Sequence, residues 1–296
     1  MALNLNTLRT RSLTALFFVV IMLSGLLYNY WSFFILFSII HFGCWREYQK
    51  LVGLIDEGYH LKSLFHQFVV MIGGWGFMLW MCNEKLFFSS INISSIGYWI
   101  MIVAAISIPL IEIILNKPNK LKNLSHSIFG LLYISLSFGL MISLRNHGMM
   151  FKGKSLFIDF GFALPLLLIV SIWINDTMAY FVGSLIGKNP LSSISPKKTW
   201  EGTIGGAILC VIVISSLVYL IFDKSLLSLA LIVSSIAAIF GTLGDLLESK
   251  LKRLANVKDS GSFMPGHGGF LDRFDSLLIA IPFVWVALKI FSTYLN

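Results

Sequence analysis

The sequence predicts an all-α, polytopic integral membrane protein with about nine transmembrane helices, and three observations predict this class. Of its 296 residues, 57% are hydrophobic and only 12% are charged, whereas soluble domains average roughly 45–50% and about 25%. Several apolar runs reach or approach the roughly 20 residues that cross a bilayer as a helix. The alternation of apolar and polar residues that is typical of a membrane β-barrel is absent from the sequence.

Nine apolar segments separated by polar residues are the predicted spans. They cover residues 12–28, 30–45, 64–81, 96–115, 128–144, 162–182, 202–222, 226–247 and 276–294. The first follows Arg9 and Arg11 and resembles the apolar region of a signal peptide, but it lacks a small-residue cleavage site. We therefore expect a retained span that forms a helical hairpin with the second span, around the polar turn at Asn29.

The predicted spans fall into two regions of different composition. Residues 1–160 are N-terminal transmembrane helices with few clustered charges, and we expect them to serve as a scaffold in contact with lipid. Residues 161–296 form a C-terminal transmembrane region, which carries the polar residues that suggest catalysis. Its loops are predicted at residues 183–201 and 248–275.

The distribution of Lys and Arg predicts the orientation, because these residues accumulate on the cytoplasmic side of membrane proteins. With nine spans, sixteen of the loop cations fall on one side and five on the other. The N-terminus and both catalytic loops are therefore expected in the cytoplasm, where nucleoside triphosphates are found. The compact chain without long tails favours the inner (plasma) membrane of a bacterium.

The net charge indicates which partners the chain binds, and the cysteine positions indicate how the cysteines pack. The formal charge of +8 favours anionic lipid headgroups and phosphorylated substrates as partners, and not nucleic acid, because the chain is so apolar. The three cysteines, Cys44, Cys82 and Cys210, are far apart in the sequence and form no metal-type pair. We expect them to pack as small apolar residues without a disulfide framework.

Carboxylates near predicted helix ends suggest a site for a divalent metal. Asp245 and Glu248 are three residues apart and share one helix face with Ser249. Asp272 and Asp275 repeat this spacing at the start of the last span. A bare carboxylate inside a membrane is costly, and hard oxygen ligands suit Mg²⁺, which also binds substrate phosphates. The alternatives are a snorkelling helix terminus for the first pair and helix capping for the second.

Three further polar segments are candidates for function, and the first two could bind phosphate. Residues 195–202 (SPKKTWEG) place two lysines where they could clamp a triphosphate, although the positive-inside bias alone would supply them. The PGHGG turn at 265–269 could present backbone amides to phosphate, although it is also typical of an ordinary loop in which His267 is structural. Asn175 and Asp176 interrupt an apolar span, where polar residues are typically functional.

These segments together resemble the signature of the phosphatidate cytidylyltransferase family, whose members are also called CDP-diacylglycerol synthases. The matching motifs are Asn175-Asp176-x-x-Ala179-Tyr180-x-x-Gly183-x-x-x-Gly187-Lys188, Ser195-Pro196-Lys197-Lys198-Thr199-x-Glu201-Gly202, Gly244-Asp245-Leu246-x-Glu248-Ser249, Ser249-x-Leu251-Lys252-Arg253-x4-Lys258-Asp259 and Pro265-Gly266-His267-Gly268-Gly269-x-x-Asp272-Arg273-x-Asp275. The resemblance covers roughly residues 170–280. The N-terminal half contributes only a faint echo, Trp45-Arg46-Glu47-Tyr48.

The resemblance implies that the cytidylyl group of CTP is transferred to phosphatidic acid, which gives CDP-diacylglycerol and pyrophosphate and requires Mg²⁺; a second metal ion is left open. The implied metal ligands are Asp245, Asp272 and Asp275. The implied catalytic residues are these three together with Lys258, Arg273 and His267, of which His267 orients a phosphate or the loop and is not a base. The implied substrate-binding residues are Asn175, Asp176, Ser195, Lys197, Lys198, Thr199, Glu201, Glu248, Ser249, Lys252 and Arg253.

The chemistry of this reaction explains a site rich in cations and carboxylates. A phosphate monoester with a second pKa of about 6 is largely dianionic at neutral pH, so the nucleophile needs little help from a base. Its repulsion by the triphosphate must be neutralised by metal ions and by Lys or Arg. Two rival functions use similar parts, namely a CTP-dependent kinase of a polyprenol or diacylglycerol and an ion-coupled transporter. The sequence leaves the oligomeric state open, a homodimer included.

Overall fold

The computed structural model describes residues 5–60, 64–83, 86–88, 91–114, 120–146, 161–222, 224–263 and 268–294. Eleven α-helices make up most of this described part. They are α1 (Leu5–Leu27), α2 (Tyr30–Ile55), α3 (Glu57–His60), α4 (Leu64–Met81), α5 (Ile93–Ile114), α6 (Lys120–Gly130), α7 (Leu136–Asn146), α8 (Ala163–Ile186), α9 (Trp200–Ile221), α10 (Leu227–Leu254) and α11 (Leu271–Tyr294). A π-helical turn, Leu131–Ser135, joins α6 to α7, and a 3₁₀ turn, Lys224–Leu226, precedes α10.

One small element departs from the predicted all-α class. Strands β1 (Phe87–Phe88) and β2 (Ile91–Asn92) pair antiparallel just before α5. Each strand is only two residues long, so a pattern of alternating hydrophobicity has no room to develop. The prediction of an essentially helical membrane protein is otherwise confirmed.

Each of the nine predicted spans coincides with a helix or with the continuous helical segment α6–α7. Among the described residues, seven helical segments are long and apolar enough to cross a membrane. The apolar part of α1, Ser12–Leu27, is shorter, and α2 is not in this group of seven. The second half of α2 carries Arg46, Glu47 and Lys50. The number of nine spans therefore stays a prediction.

The helices extend into both segments that the sequence predicts as loops. Helices α8 and α9 leave only residues 187–199 between them, and α10 and α11 leave only residues 255–270. Both loops are shorter than the predicted ranges 183–201 and 248–275. The reason is physical: hydropathy marks the part of a helix that lies in lipid, whereas backbone hydrogen bonds continue into polar turns beyond it.

The chain forms two compact units. Unit one contains α1 to α7 together with Leu251–Arg273, and unit two contains α8, α9, α10 as far as Lys250, and α11 from Phe274. The predicted division after residue 160 concerns the roles of the two halves, which the packing into two units does not test. In packing, however, the segment Leu251–Arg273 groups with the N-terminal helices.

The hairpin predicted around Asn29 is confirmed in unit one. Asn29 Oδ1 accepts from Ser32 N at 2.7 Å, and Ser32 Oγ accepts from Asn29 N at 3.0 Å, which is a capping box at the start of α2. Helices α1 and α2 then pack closely, because a Cβ on Gly25 would lie 2.6 Å from Leu36 Cδ2.

A buried polar network ties α2 to the π-helical turn in unit one. Ser135 Oγ accepts from Trp45 Nε1 at 2.8 Å and lies 2.9 Å from His41 Nε2. All three side chains are buried. Gly74 of α4 packs on this network, since a Cβ there would lie 2.8 Å from Ser135 Cβ. The network fixes α2 firmly within the helices of unit one.

Close helix packing also organises unit two. A Cβ on Gly206 of α9 would lie 2.6 Å from the backbone nitrogen of Ala179 on α8, and a Cβ on Gly202 would lie 2.9 Å from Gly183 Cα. Small residues at this spacing allow two membrane helices to approach backbone to backbone. Cys44, Cys82 and Cys210 are all buried, which confirms that they pack as small residues of the interior.

Candidate active site

Three carboxylates converge in unit two. One oxygen from each of Asp245, Glu248 and Asp275 lies within 4.8 Å of the other two. Glu248 and Asp275 are buried, and Asp245 is half-buried. The first two residues come from α10 and the third from α11, so the group depends on the contact between these helices.

Gly244 makes that contact possible. A Cβ at this position would lie 3.0 Å from Ser276 Cα and 3.1 Å from the carbonyl carbon of Asp275. Real side chains almost never come so close to backbone atoms, so only glycine lets α10 and α11 approach here. Gly244, the neighbour of Asp245, is therefore in direct contact with the backbone of Asp275 and Ser276. This contact brings the carboxylates of α10 and α11 together.

Lys198 and Asp176 join this group within unit two. Lys198 Nζ forms an ion pair with Asp245 Oδ2, and the two side chains are 29% and 26% exposed, so the pair is only partly buried. Asp176 of α8 interacts electrostatically with both Lys198 and Asp245. Ser249 Oγ donates to Asp245 Oδ1 at 3.3 Å. Three predicted substrate-binding residues thus surround one predicted metal ligand.

Asn175 lies beside Asp176 but is buried, with 3% of its surface exposed. Its Oδ1 atom has no hydrogen-bond partner among the described residues. An unsatisfied buried amide oxygen is unusual in proteins, because it forfeits the hydrogen bonds that water would supply. The predicted role of Asn175 in substrate binding is consistent with this free acceptor oxygen.

The loop between α8 and α9 holds Lys198 in place through its backbone. Lys198 N donates to Ser195 O at 3.1 Å, and Lys198 O accepts from Leu191 N at 2.7 Å. Thr199 caps α9 by accepting from Gly202 N at 3.1 Å. The side chains of Thr199 and Lys198 therefore have different tasks, because the first shapes the loop and the second reaches the carboxylates.

Glu201 also serves the shape of this loop. Its carboxylate accepts from the backbone nitrogens of Lys188 and Asn189 at 3.2 Å, and from Asn189 Nδ2 at 2.6 Å. Glu201 was predicted to bind substrate, but in the described structure its oxygens are engaged by the protein. Lys197 is exposed.

The group of three carboxylates fits a divalent cation. Mg²⁺ binds oxygen ligands at about 2.1 Å, so two ligands on opposite sides of one ion lie at most about 4.2 Å apart. The observed limit of 4.8 Å between the oxygens requires only a small closing movement or a bridging water. The acidic groups also outnumber the single ammonium group of Lys198 beside them, so the local charge favours a cation.

Asp272 stands in a different group, within unit one. Its Oδ1 accepts from Lys252 Nζ at 2.7 Å. Its Oδ2 accepts from Ser260 N and Gly269 N at 2.9 and 2.8 Å, and lies 2.9 Å from Ser260 Oγ. Both oxygens thus hold together the end of α10 and the segment before α11. Within unit two, Glu248 is the residue that lies with Asp245 and Asp275.

The sequence contains the signal for this assignment. Asp245 and Glu248 share one helix face, which the spacing predicts, yet the resemblance directs Glu248 to substrate binding. The i, i+3 spacing of Asp272 and Asp275 also predicts a shared helix face. In unit one the Asp272 carboxylate accepts from the backbone of its own loop, and its predicted role as a metal ligand stays a prediction.

The remaining predicted cations are exposed. Lys258, Arg253 and Arg273 all lie at the surface of the described structure. Arg253 Nη1 donates to Val257 O at 3.3 Å and so helps to close the end of α10. His267, together with Pro265 and Gly266, lies outside the described residues, so its predicted role stays a prediction.

Comparison with known proteins identifies similar chains. The family model described as the Cytidylyltransferase family matches residues 9–291. The phosphatidate cytidylyltransferase of Bacillus subtilis is 39% identical over 163 residues, which cover 54% of this chain and 56% of the relative. That of Staphylococcus haemolyticus is 48% identical over 118 residues, which cover 40% and 45%.

A plant relative extends the similarity. Phosphatidate cytidylyltransferase 4, chloroplastic, of Arabidopsis thaliana is 35% identical over 213 residues, which cover 65% of this chain and 54% of the relative. The chain spans about half the length of the curated relatives it matches.

Proposed function

The chain belongs to the cytidylyltransferase family, and we propose that it transfers the cytidylyl group of CTP to phosphatidic acid, which yields CDP-diacylglycerol and pyrophosphate. The names of the similar proteins support the substrate pair. The observation that carries the proposal is the convergence of Asp245, Glu248 and Asp275 beside Lys198 in unit two. This arrangement suits the joining of two phosphorylated substrates.

The reaction replaces one phosphoanhydride bond by another. An oxygen of the phosphatidic acid phosphate attacks the α-phosphorus of CTP, the bond from that phosphorus to the bridging oxygen breaks, and pyrophosphate leaves with the electron pair. The attacking phosphate is already largely dianionic near pH 7. No side chain is required to remove a proton, which agrees with a site composed of carboxylates and a lysine.

Mg²⁺ would supply the charge that neutralises the triphosphate at this site. Asp245, Glu248 and Asp275 are the residues that we propose to hold it. Lys198 adds a positive charge that can move from Asp245 to a phosphate oxygen, because its side chain is partly exposed and an ammonium group carries three hydrogen-bond donors. Asp176 and Asn175 add polar groups on the α8 side.

The membrane helices suit the second substrate. The acyl chains of phosphatidic acid must stay in lipid while its headgroup reaches the three carboxylates and Lys198 in unit two. The spans that carry Asp176, Asp245 and Asp275 are apolar enough to lie in a bilayer. We propose that the site opens toward the cytoplasm of a bacterial cell and lies in its inner membrane, on the basis of the charge bias across the predicted spans.

Product analysis tests the proposal. The purified chain, reconstituted with phosphatidic acid, Mg²⁺ and CTP labelled at the α-phosphate, should yield a labelled lipid that migrates as CDP-diacylglycerol and an equal amount of pyrophosphate. A CTP-dependent lipid kinase would instead release CDP and transfer only label at the γ-phosphate. A transporter would consume no nucleotide. Either of these two results would overturn the proposal.

A further inference from the structure

A carboxylate on α2 caps a helix that lies more than two hundred residues further along the chain. Within unit one, Glu47 Oε1 accepts from Phe270 N at 2.9 Å and Glu47 Oε2 accepts from Leu271 N at 2.8 Å. Leu271 is the first residue of α11. The first amides of a helix lack partners within the helix and carry its positive dipole, so a carboxylate is well matched to this position.

Glu47 also contacts Ser260, which precedes Phe270 by ten residues in the chain. Ser260 Oγ lies 2.7 Å from Glu47 Oε2 and 2.9 Å from Asp272 Oδ2. A hydroxyl carries a single hydrogen. Because Asp272 already accepts from Ser260 N, Gly269 N and Lys252, we assign the hydroxyl hydrogen to Glu47. The Glu47 carboxylate therefore connects Ser260 with the start of α11.

Two glycines, Gly261 and Gly269, leave room for this carboxylate because they have no side chain. A Cβ on Gly261 would lie 2.7 Å from Glu47 Cδ, and a Cβ on Gly269 would overlap the same carboxylate. Glycine is therefore required at both positions for Glu47 to reach the backbone. Neither glycine has a positive φ, so the reason is close approach and not backbone strain.

Gly43, one helical turn before Glu47 on α2, makes a second contact with the residues that precede α11. The ring of Phe270 lies on it, so that a Cβ on Gly43 would come 2.5 Å from Phe270 Cγ. Phe263 packs against the same ring, with centroids 4.0 Å apart. Residues four apart lie on one face of a helix, so Gly43 and Glu47 present a single surface of α2 to these residues.

From these contacts we propose that Glu47 is a positioning residue for the reaction. It acts through Ser260 and the backbone amides of Phe270 and Leu271, which it holds in place beside Asp272, and it needs no contact with substrate. The same interaction orients the first turn of α11, the helix that carries Asp275. The N-terminal helices thus contribute more than a scaffold, although the kinetic part of this inference rests on the proposed function.

Amide hydrogen exchange tests the structural part directly. In Glu47→Gln the side chain keeps its size but loses its charge and one acceptor oxygen. Exchange at Phe270 and Leu271 should accelerate by about tenfold or more, since hydrogen bonds to a charged group are lost. Exchange in α4 should not change. Arg46→Gln, at the exposed neighbouring position, is the control and should behave as the wild-type chain. Equal protection of Phe270 and Leu271 in both variants would overturn the proposal.

Steady-state kinetics tests whether the role is one of positioning. We expect Glu47→Gln to raise the half-saturating concentrations of CTP and Mg²⁺ by about tenfold, which corresponds to one lost charge-assisted hydrogen bond. Glu47→Asp, which keeps the charge on a shorter stem, should recover part of this loss. Unchanged half-saturating concentrations of both CTP and Mg²⁺ in Glu47→Gln would refute a positioning role.

The two experiments separate this inference from the proposed function. If the wild-type chain forms no CDP-diacylglycerol, the proposed function fails while the exchange data still decide whether Glu47 holds the amides of Phe270 and Leu271. If the wild-type chain is active and Glu47→Gln changes neither exchange nor half-saturation, the inference about Glu47 fails and the proposed function stands.

Discussion

Replacement of Gly244 by Ala would test whether backbone contact between α10 and α11 assembles the carboxylate group of unit two. The added Cβ would lie 3.0 Å from Ser276 Cα and 3.1 Å from the carbonyl carbon of Asp275. Both are backbone atoms, so no rotation of a side chain can make room. The two helices must separate locally, and Asp275 must move away from Asp245 and Glu248.

The size of the effect follows from these distances. Carbon atoms in contact normally lie about 3.5–4.0 Å apart, so α10 and α11 must separate by about 0.5–1 Å. Overpacking of this kind costs about 1–3 kcal/mol of stability. A displacement of about 1 Å at a reacting group can lower the rate about a hundredfold. We therefore expect Gly244→Ala to fold and to lose about two orders of magnitude in cytidylyl transfer.

Gly241→Ala is the matched control. It lies one turn earlier on the same helix and also faces Ser276, but its Cβ would be 3.6 Å from Ser276 Cβ and 3.7 Å from Ile172 Cγ1, which are ordinary contacts. Both substitutions gain about 1 kcal/mol of helix propensity relative to glycine, so the comparison isolates the contact. The assay is CDP-diacylglycerol formation over a range of Mg²⁺ concentrations. Activity in Gly244→Ala within about twofold of Gly241→Ala would refute this account of the site.

Three further predictions concern single side chains. Asp275→Asn should abolish Mg²⁺-dependent turnover and leave membrane insertion intact; normal activity would remove Asp275 from the metal site. Lys198→Ala should raise the half-saturating concentration of CTP more than that of phosphatidic acid, and an unchanged CTP dependence would exclude its role as a phosphate clamp. Lys122 donates a hydrogen bond that holds the pKa of Asp56 below its usual value, so this pair stabilises the fold above about pH 4 and ceases to do so below it. The unfolding temperature in detergent should therefore fall more between about pH 6 and pH 3 for the wild-type chain than for Asp56→Asn, and equal decreases would contradict this reasoning.

Helix packing explains why the N-terminal part of the chain was difficult to interpret from sequence. Glu47 lies in a stretch that carries only a faint resemblance to the family, and its partners Phe270 and Leu271 are 223 and 224 residues away. Nothing in the local pattern around Glu47 distinguishes a carboxylate that caps a distant helix from one that faces the membrane surface. The glycines at positions 43, 261 and 269 look equally ordinary in sequence, because the reason for each of them is another part of the chain.

The end of α10, in contrast, is determined by residues that are neighbours in the sequence. Asn256 adopts a positive φ of 54°, Asn256 N donates to Arg253 O at 3.1 Å and Val257 N donates to Lys252 O at 2.9 Å. These two bonds form a Schellman motif, in which Asn can replace the usual glycine. The residues needed to place this helix end are adjacent in the sequence, whereas hydropathy alone ends the span several residues too early.

The sequence by itself determined what depends on neighbouring residues. Apolar runs of membrane length, the helical hairpin around the polar turn at Asn29 and the shared helix face of Asp245 and Glu248 follow from the order of neighbouring residues and from the helical repeat. Only the tertiary structure decided that Glu248 joins Asp245 and Asp275, that Asp272 serves its own loop, and that Lys198 reaches Asp245. The contact of α10 with α11 depends on backbone approach at Gly244, whereas Lys198 and Asp272 make their contacts through loops. The sequence does not predict these contacts, because helical periodicity gives the direction of a side chain but not the identity of the element it meets.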